Sequence, residues 1–344
     1  RWKEVPRYPN CSARFPAVKS KTEHFGFLCL DKPGGMTSHD VVAKARRRLG
    51  VKQIGHAGTL DPMATGVMVL AIGKATRLLR FLRDDKTYEA KILLGRSTDT
   101  DDIEGALLEE APLPDNLSRE GAEAQLNAFR GKIEQLPPLY SAIHVNGERL
   151  YDLARTGKVS PDELSQYVKK RSVEIFELKL VNWEPPYLDV MVHCSAGTYI
   201  RSIARDLGQA LGSGACLAAL RRTGSGNFPI DACLELESFI KNKESPPLLD
   251  VKEHLGLPRI VLEEEASLRF RRGQKVELQV SPELAMSETE NLATPQDTAN
   301  FALILDTRQE PLGVAAIEKA LAATIFIKPV VVLVGQHYSP PQPS

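Results

Sequence analysis

The chain has 344 residues, 42% of them hydrophobic and 26% charged, with a net charge of zero, which suits one large folded domain and a smaller one. It contains no run of eighteen apolar residues and begins without the apolar stretch of a secretory signal, which favours a cytoplasmic protein that binds no membrane. Its five cysteines follow no metal-ligand spacing, which argues against a disulfide framework or a zinc site and indicates that Cys29 and Cys194 are core residues.

Positive charge is concentrated near the start of the chain. Residues 1–96 carry nineteen Lys and Arg against eight Asp and Glu, and residues 231–344 carry eleven against seventeen. A basic segment of this kind contacts the phosphate backbone in nucleic-acid-binding proteins and is equally typical of a solvated helix face. The charge distribution alone therefore leaves both interpretations open.

The first half of the chain mixes predicted strands and helices around one glycine-rich loop. Residues 1–24 combine Pro, Arg, Lys and Ser without periodicity, which predicts a flexible basic arm. Ser38 is placed to cap the first helix, and the loop at 50–66 is flanked by an apolar run that suits a buried strand. Strands are predicted at 27–30, 67–72 and 88–94, helices at 38–49, 74–82 and 119–129, and an acidic loop at 97–115.

The second half is predicted to contain a strand pair, a helix and a small β domain. Asn146-Gly147 is a strong hairpin signal after the strand-like residues 140–145, and Thr198 is the expected start of a helix. Lys, Glu and Pro at 241–258 indicate a domain boundary, and the polar stretch 281–300 predicts a mobile loop. Strands are predicted at 173–183, 187–194, 275–280, 301–306, 312–318 and 324–333. This irregular order of elements predicts an α+β fold with a mainly antiparallel sheet.

The most unusual stretch is residues 55–66, GHAGTLDPMATG. Its glycines permit backbone shapes and close approaches that other residues do not allow, so the loop can present one carboxylate, that of Asp61. Taken alone, Asp followed by Pro in a loop is most often a turn signal. Two other patterns fail: 99–102 lacks the Glu of a calcium loop and is interpreted as a solvated acidic turn, and Gly73-Lys74 lacks the remaining residues of a phosphate-binding loop.

Residues 55–66 closely resemble the catalytic motif of the TruB family of pseudouridine synthases, in which the Asp of a Gly-x-Leu-Asp-Pro loop attacks the target uridine. Residues 30–38, LDKPGGMTS, look like the N-terminal Lys-Pro motif of the same family. Two motifs in the family's order are far more specific than one. Further matches lie at 85–88, 129–133, 135–138, 140–142, 149–155, 194–201 and 220–222, so that the resemblance extends from residue 26 to about residue 228.

The resemblance implies a mixed, mainly antiparallel pseudouridine-synthase catalytic domain at 25–243, with an insertion of the family at about 97–170. Residues 258–336 are expected to form a small β domain, and residues 337–344 a tail. Arg271-Arg272-Gly273-Gln274 followed by short strands resembles a PUA-type RNA-binding domain. The net negative charge of this part of the chain argues against a strong contact with phosphate.

By this resemblance, three residues form the catalytic group. Asp61 is the nucleophile, since an ionised carboxylate can form a covalent intermediate. Arg201 pairs with Asp61, because a nearby guanidinium keeps a carboxylate charged and aims it. Tyr88 matches the family's stacking aromatic. Without the family, Arg201 would be typical of a helix surface and Tyr88 of a half-buried strand.

Five further residues are expected to bind the substrate, whose target base must be flipped out of its stack. His56 matches the histidine that fills the space left by the flipped base, and otherwise reads as a hydrogen-bonded loop histidine. Lys32 and Pro33 are expected to buttress the active-site loop, and Leu220 to form an apolar wall of the pocket. Tyr199 lies in the matched stretch 194–201.

The family's reaction exchanges a carbon–nitrogen bond for a carbon–carbon bond and is redox-neutral, so no cofactor or metal is expected. The resemblance implies a monomer that acts on uridine 55 in the T stem-loop of tRNA without a protein partner. Residues 129–154 look like the insertion of the stand-alone bacterial branch, which favours direct tRNA recognition over a guide-dependent H/ACA-type relative. An RNA chaperone is a second hypothesis, and a pure RNA binder would not need the set of Asp61, Tyr88 and Arg201.

Overall fold

The computed structural model describes residues 25–140, 144–145, 148–149, 166, 168–279, 300–319 and 324–333. The predicted basic arm at 1–24, the Asn146-Gly147 turn, nearly all of the predicted mobile loop at 281–300 and the tail at 337–344 lie outside the described residues. In the described part, no helix combines the length and the apolar character needed to cross a membrane.

Strands dominate the described part of the chain, and a few short helices accompany them. The helices are α1 (Ser38–Leu49), α2 (Arg119–Leu126), α3 (Ile200–Ala210), α4 (Leu236–Lys241), α5 (Val251–His254) and α6 (Glu264–Arg271). The strands are β1 (Gly26–Lys32), β2 (Ile54–His56), β3 (Thr65–Ile72), β4 (Lys86–Leu94), β5 (Arg96–Thr98), β6 (Leu107–Glu110), β7 (Gly131–Gln135), β8 (His144–Val145), β9 (Glu148–Arg149), β10 (Arg171–Glu184), β11 (Tyr187–Cys194), β12 (Ala215–Ser225), β13 (Phe228–Pro229), β14 (Leu234–Glu235), β15 (Arg259–Leu262), β16 (Val276–Gln279), β17 (Phe301–Asp306), β18 (Pro311–Lys319) and β19 (Thr324–Val332).

A ten-stranded mixed sheet forms the centre of the molecule. Its strands follow the order β14-β1-β3-β12-β4-β11-β10-β7, with β2 beside β3 and β13 beside β12. The contacts of β1 with β14 and of β3 with β12 are parallel, and the other pairs are antiparallel. A second sheet near the end of the chain has the order β15-β17-β18-β19-β16. The predicted α+β fold with a mainly antiparallel sheet and a small C-terminal β domain is confirmed.

The two faces of the central sheet are covered by different parts of the chain, because successive strand residues point to opposite faces. On one face, the buried residues of β4, β11 and β12 pack against α2 and α3, and those of β1 and β3 pack against α1. On the reverse face, Val67 and Val69 of β3 pack against Leu303, Leu305 and Val314 of the C-terminal sheet. The loop at 57–64 therefore precedes a strand whose reverse face is covered by the C-terminal sheet.

One predicted helix cap and one predicted helix start are wrong. Helix α1 is capped by Thr37 and not by Ser38, because Thr37 and Asp40 exchange side-chain and backbone hydrogen bonds in a capping box. Ser38 is buried inside the first turn instead. Helix α3 begins at Ile200 and not at Thr198.

Several other elements differ from the sequence patterns. The predicted helix at 74–82 is a 3-10 helix over Gly73–Phe81, and the acidic stretch 97–115 contains the paired strands β5 and β6. Strands β8 and β9 pair across a two-residue gap, as the hairpin signal predicts. The long strand β12 and the elements β15 and α6 were not predicted, since their sequences show neither clear alternation nor strong helical spacing.

Cys29 is a core residue, as expected, at 2% exposed, but the expectation that no disulfide forms is wrong. The structure joins Cys29 of β1 to Cys233 in a disulfide, with the Cα atoms 4.5 Å apart. The parallel contact of β1 with β14 brings the two residues together from opposite ends of the catalytic region. Cys194 and Cys216 are free and buried, in agreement with the expected role of Cys194 as a core residue.

Candidate active site

Asp61 lies in the loop that connects β2 to β3. The buried hydroxyl of Ser38 accepts a hydrogen bond from the Leu60 N–H at 2.9 Å and donates to the Leu60 carbonyl at 3.1 Å. A single side chain at the start of α1 thus satisfies both backbone groups of the residue before Asp61. Because buried backbone groups are costly to leave unpaired, these two hydrogen bonds fix the position of the loop relative to the sheet.

Lys32 fixes the other side of Asp61. Its side chain is fully buried, and its ammonium group donates to the carbonyls of Pro33, Met36 and Pro62 at 3.0, 2.8 and 3.1 Å. Burial lowers the pKa of Lys32 to about 8, although the negative charge of Asp61 opposes this shift. Lys32 and the exposed Pro33 therefore lie where the sequence resemblance expects a buttress for the loop.

Arg201 holds the Asp61 carboxylate through a bidentate pair of hydrogen bonds. Its Nε and Nη2 atoms donate to the two carboxylate oxygens at 3.0 and 3.1 Å. The guanidinium is 5% exposed and the Asp61 side chain 33% exposed. Arg201 also donates to the carbonyls of Thr100 and Tyr140, at 2.9 and 3.0 Å. The geometry therefore brings together the two residues expected to act as a pair, and leaves the carboxylate open on one side.

The acidic segment at 99–102, interpreted from the sequence as a solvated turn, is part of the site. Asp102 is buried, and its carboxylate lies 3.8 Å from Arg201. Burial raises the pKa of Asp102, while the Thr100 hydroxyl and the charge of Arg201 act in the opposite direction. The segment thus supports the arginine that holds Asp61. In the described residues, no cluster of His, Cys, Asp and Glu could hold a metal ion.

Tyr88 lies beside the loop on the covered face of the sheet. It belongs to the same buried cluster as Leu60, Ala64 and Leu220, and 8% of it is exposed. Burial raises the pKa of the Tyr88 hydroxyl; Arg222 opposes this shift and Asp61 adds to it. Tyr88 is therefore a neutral aromatic residue at the floor of the site.

A pocket of about 380 Å³ opens next to the loop. Met63 and Thr65 line one side, and Leu220 and Arg221 of β12 line another. Leu220, expected as an apolar wall, thus lies between Tyr88 and an open cavity.

His56 and Tyr199 lie at the two ends of the site. His56 ends β2, and its Nδ1 accepts a hydrogen bond from the Gly58 N–H at 3.3 Å. Burial, with a smaller contribution from the nearby His39, lowers the pKa of His56, so its imidazole is neutral at pH 7. Tyr199 precedes α3, and Gln135 bonds both its N–H and its carbonyl, at 2.7 and 3.0 Å. His56 thus lies at the start of the loop of Asp61, and Tyr199 lies at the start of the helix that carries Arg201.

Two buried cations below the loop were not assigned a role from the sequence. Arg222 of β12 is 1% exposed and Lys86 of β4 is 7% exposed. Lys86 donates to the Asp84 carbonyl at 2.7 Å, and burial together with the charge of Arg222 lowers its pKa to about 8. A charged residue at an inward position of a strand is the signal that would have identified both.

Two family descriptions match adjoining parts of the chain. Residues 46–200 match the TruB family pseudouridylate synthase (N terminal domain). Residues 201–252 match the tRNA pseudouridylate synthase B C-terminal domain. The boundary between the two matches falls between Tyr199 and Arg201, so the candidate site takes residues from both.

Known proteins resemble the chain over most of its length. It is 50% identical over 258 residues to the tRNA pseudouridine synthase B of Gloeobacter violaceus, covering 73% of this chain and 86% of that protein. It is 43% identical over 317 residues to the same-named protein of Acaryochloris marina, covering 90% and 99%. A chain in the crystal structure of a Cbf5-Nop10-Gar1 complex shares the fold, with a TM-score of 0.64 and 24% identity over 91% of this chain and 86% of that one. This chain belongs to the TruB family of pseudouridine synthases.

Proposed function

We propose that the chain is a tRNA pseudouridine synthase that converts uridine 55 in the T arm, with Asp61 as its nucleophile. The observation that carries this proposal is the pairing of Asp61 with the buried guanidinium of Arg201. A carboxylate held in this way stays ionised and oriented, and a third of its side chain remains exposed. Such a group is available to form a covalent bond with a nucleotide.

The reaction breaks the bond between C1′ of the ribose and N1 of uracil and forms a bond between C1′ and C5. Asp61 attacks the nucleotide, forms a covalent intermediate and is released when the carbon–carbon bond is made. C5 loses a proton and N1 gains one, so the electrons balance without an oxidant or a reductant. The isomerisation consumes no second substrate and changes no oxidation state, and we propose that the enzyme uses no cofactor.

Arg201 and Tyr88 prepare the site for the flipped base. Arg201 compensates the charge of Asp61 while the site is free and keeps its carboxylate aimed at the nucleotide. Tyr88 offers an aromatic surface beside the loop, on which the target base stacks once it has left the RNA helix. The buried position of Tyr88 supports this role, because a ring fixed by packing loses little freedom when the base arrives.

The remaining residues shape the pocket. Neutral His56 occupies the space that the flipped base leaves in the RNA, and Leu220 forms an apolar wall. Lys32 and Pro33 hold the loop through the contact of Lys32 with the Pro62 carbonyl. Tyr199, whose backbone Gln135 fixes two residues before Arg201, contributes to substrate binding.

The choice of tRNA as substrate is supported by relatives at 43–50% identity that are named tRNA pseudouridine synthase B. Chains in a Cbf5-Nop10-Gar1 complex and in an H/ACA RNP bound to a substrate RNA share only the fold, at 24% and 21% identity. We therefore propose that the chain recognises the T stem-loop directly, as a monomer and without a protein partner.

The proposal is tested with an unmodified tRNA transcript that carries tritium at C5 of its uridines. The purified chain, without guide RNA or cofactor, is expected to release tritium and to place pseudouridine at position 55. Asp61→Asn is expected to abolish release while RNA binding is retained, because only the covalent step is removed. Asp206→Asn is the matched control, since Asp206 is also 33% exposed and also pairs with an arginine, Arg205.

Four results would count against the proposal. Substantial turnover by Asp61→Asn would refute the nucleophile. Tritium release from a transcript with cytidine at position 55 would refute the site. Activity that required an added guide RNA would refute autonomous recognition, and binding without turnover would favour an RNA chaperone.

A further inference from the structure

Arg222 connects both ends of the loop that carries Asp61. Its Nε donates to the Val67 carbonyl at 2.7 Å, and its two terminal nitrogens donate to the carbonyls of Thr59 and Gly58, both at 3.2 Å. Gly58 and Thr59 precede Asp61, and Val67 follows it. One guanidinium therefore links the segment before Asp61 to the segment after it. Without this link, the two segments could move independently.

The charge of Arg222 is not explained by an ion pair. Among the residues that the structure describes, no carboxylate forms a salt bridge with it, and its charge is opposed by those of the buried cations Lys32 and Lys86, each with a pKa of about 8. Burying a guanidinium beside two like charges is costly, whereas an apolar side chain of similar volume would fill the same space at lower cost. The position therefore requires the directed donors of an arginine, which a hydrocarbon cannot supply.

The strand pairing explains how Arg222 reaches the segments on both sides of Asp61. Strands β3 and β12 meet in parallel at only two residue pairs, Arg221 with Thr65 and Arg222 with Gly66. Gly66 has φ +106°, and a Cβ atom there would collide with the backbone of Arg222. The glycine thus permits a close approach of the two backbones at the residue where the loop enters β3.

Arg201 and Arg222 fix different parts of the loop that carries Asp61. Arg201 reaches the carboxylate from α3, while Arg222 reaches the backbone of the loop from β12 on the other side. Arg222 also pairs across the sheet with Tyr88 and lies on the same face. A movement of Arg222 would therefore displace the nucleophile relative to the aromatic ring and to Arg201.

We propose that Arg222 is a positioning residue for pseudouridine formation, which fixes the loop of Asp61 against Tyr88 through its three backbone hydrogen bonds. This inference rests on the proposed function, since it assigns a further role in the same reaction. A positioning residue of this kind affects the chemical step and leaves the binding of RNA unchanged, because the Arg222 side chain is only 1% exposed.

The test compares Arg222→Met, which fills the space without donors, with Arg222→Lys, which restores a charge and part of the donors. For Arg222→Met we expect kcat to fall about 100-fold with KM within about threefold of the wild type. For Arg222→Lys we expect a smaller loss of about tenfold, because an ammonium group cannot bond to the segments on both sides of Asp61 at once. Unchanged kcat in both variants would overturn the inference.

A stability control separates positioning from general destabilisation. Ile304→Ala removes buried side-chain atoms from the core of the C-terminal sheet, far from the loop in the fold. It is expected to lower Tm while kcat at 25 °C stays within about twofold of the wild type. If Arg222→Met does not fold, Arg222→Lys alone decides: a reduced kcat with unchanged KM supports positioning, and a kcat equal to that of Ile304→Ala contradicts it.

The same experiment distinguishes this inference from the proposed function. A wild-type chain that released no tritium would refute both together. An active wild-type chain whose Arg222 variants kept full kcat would refute the positioning role alone. A rise in KM with unchanged kcat would also contradict it, because that result would assign Arg222 to RNA binding.

Discussion

Arg201 and Asp61 are separated by 140 residues in the chain, yet two nitrogens of Arg201 donate to the two oxygens of Asp61 at 3.0 and 3.1 Å. The contact joins a helix to a loop between two strands, so it forms only when the whole domain is folded. Parallel hydrogen bonds from a planar guanidinium specify the direction of the carboxylate as well as its charge.

Arg201→Lys is expected to lower kcat by about 100-fold, since a lysine keeps the charge and loses the bidentate hydrogen bonding to the carboxylate. The bonds to the Thr100 and Tyr140 carbonyls are lost as well. Single-turnover rates with excess enzyme measure the effect. Arg205→Lys, one turn further along α3, serves as the control and is expected to stay near the wild-type rate. Equal rates in all three proteins would show that orientation by Arg201 is dispensable.

Tyr88→Leu is expected to lose more activity than Tyr88→Phe, because only phenylalanine keeps an aromatic surface for the target base. Stacking of a base on an aromatic ring contributes about 1–3 kcal/mol, which corresponds to a loss of roughly 5- to 150-fold for leucine. Both rates are measured on the same transcript. A leucine variant as active as the phenylalanine variant would contradict the stacking role.

The contribution of Lys32 to the stability of the chain is expected to rise with pH between about 8 and 10.5. Folding lowers its pKa from 10.5 to about 8, so in this range the unfolded chain binds a proton that the folded chain has released. The free energy of unfolding then increases with pH. Urea unfolding at several pH values is expected to show a larger gain for the wild type than for Lys32→Met. Lys86, whose pKa burial lowers to about 8, and Cys194 and Cys216, whose pKa values burial raises to about 12 and about 11, contribute equally to both proteins. An equal gain in both would contradict the shifted pKa.

Gly66→Ala is expected to destabilise the chain by about 3–5 kcal/mol, since it adds backbone strain and a collision with Arg222. Gly50→Ala is the matched control. Gly50 also has a positive φ, +68°, but a Cβ atom there meets nothing within 4 Å, so its cost is expected to be about 1 kcal/mol. Free energies of unfolding in urea measure both, and similar losses would contradict the close approach of β3 and β12.

Local patterns predicted much of the fold. The alternation of buried residues in β4 and β11 was visible in the sequence, and the two strands pair as neighbours in the sheet. Motif resemblance, and not periodicity, identified Asp61, Tyr88 and Arg201, because nothing local to any of them indicates that they meet. The structure brings Arg201 to the carboxylate of Asp61.

Contacts between distant segments could not be predicted. Ser38 has the composition of a helix cap, but its partner is Leu60 across the domain, and the neighbouring Thr37 caps the helix. Strand β12 carries Arg222 at an inward position, which breaks the apolar pattern of a buried strand. The segment at 99–102 looked solvated because the sequence does not show that Arg201 lies above it.

The C-terminal sheet covers the reverse of the strand that follows Asp61, through Leu303, Leu305 and Val314 against Val67 and Val69. A chain shortened before β15 would therefore expose a hydrophobic surface to water directly behind the loop of Asp61, and would tend to aggregate. Relatives that naturally lack this sheet should carry hydrophilic side chains at the positions of Val67 and Val69.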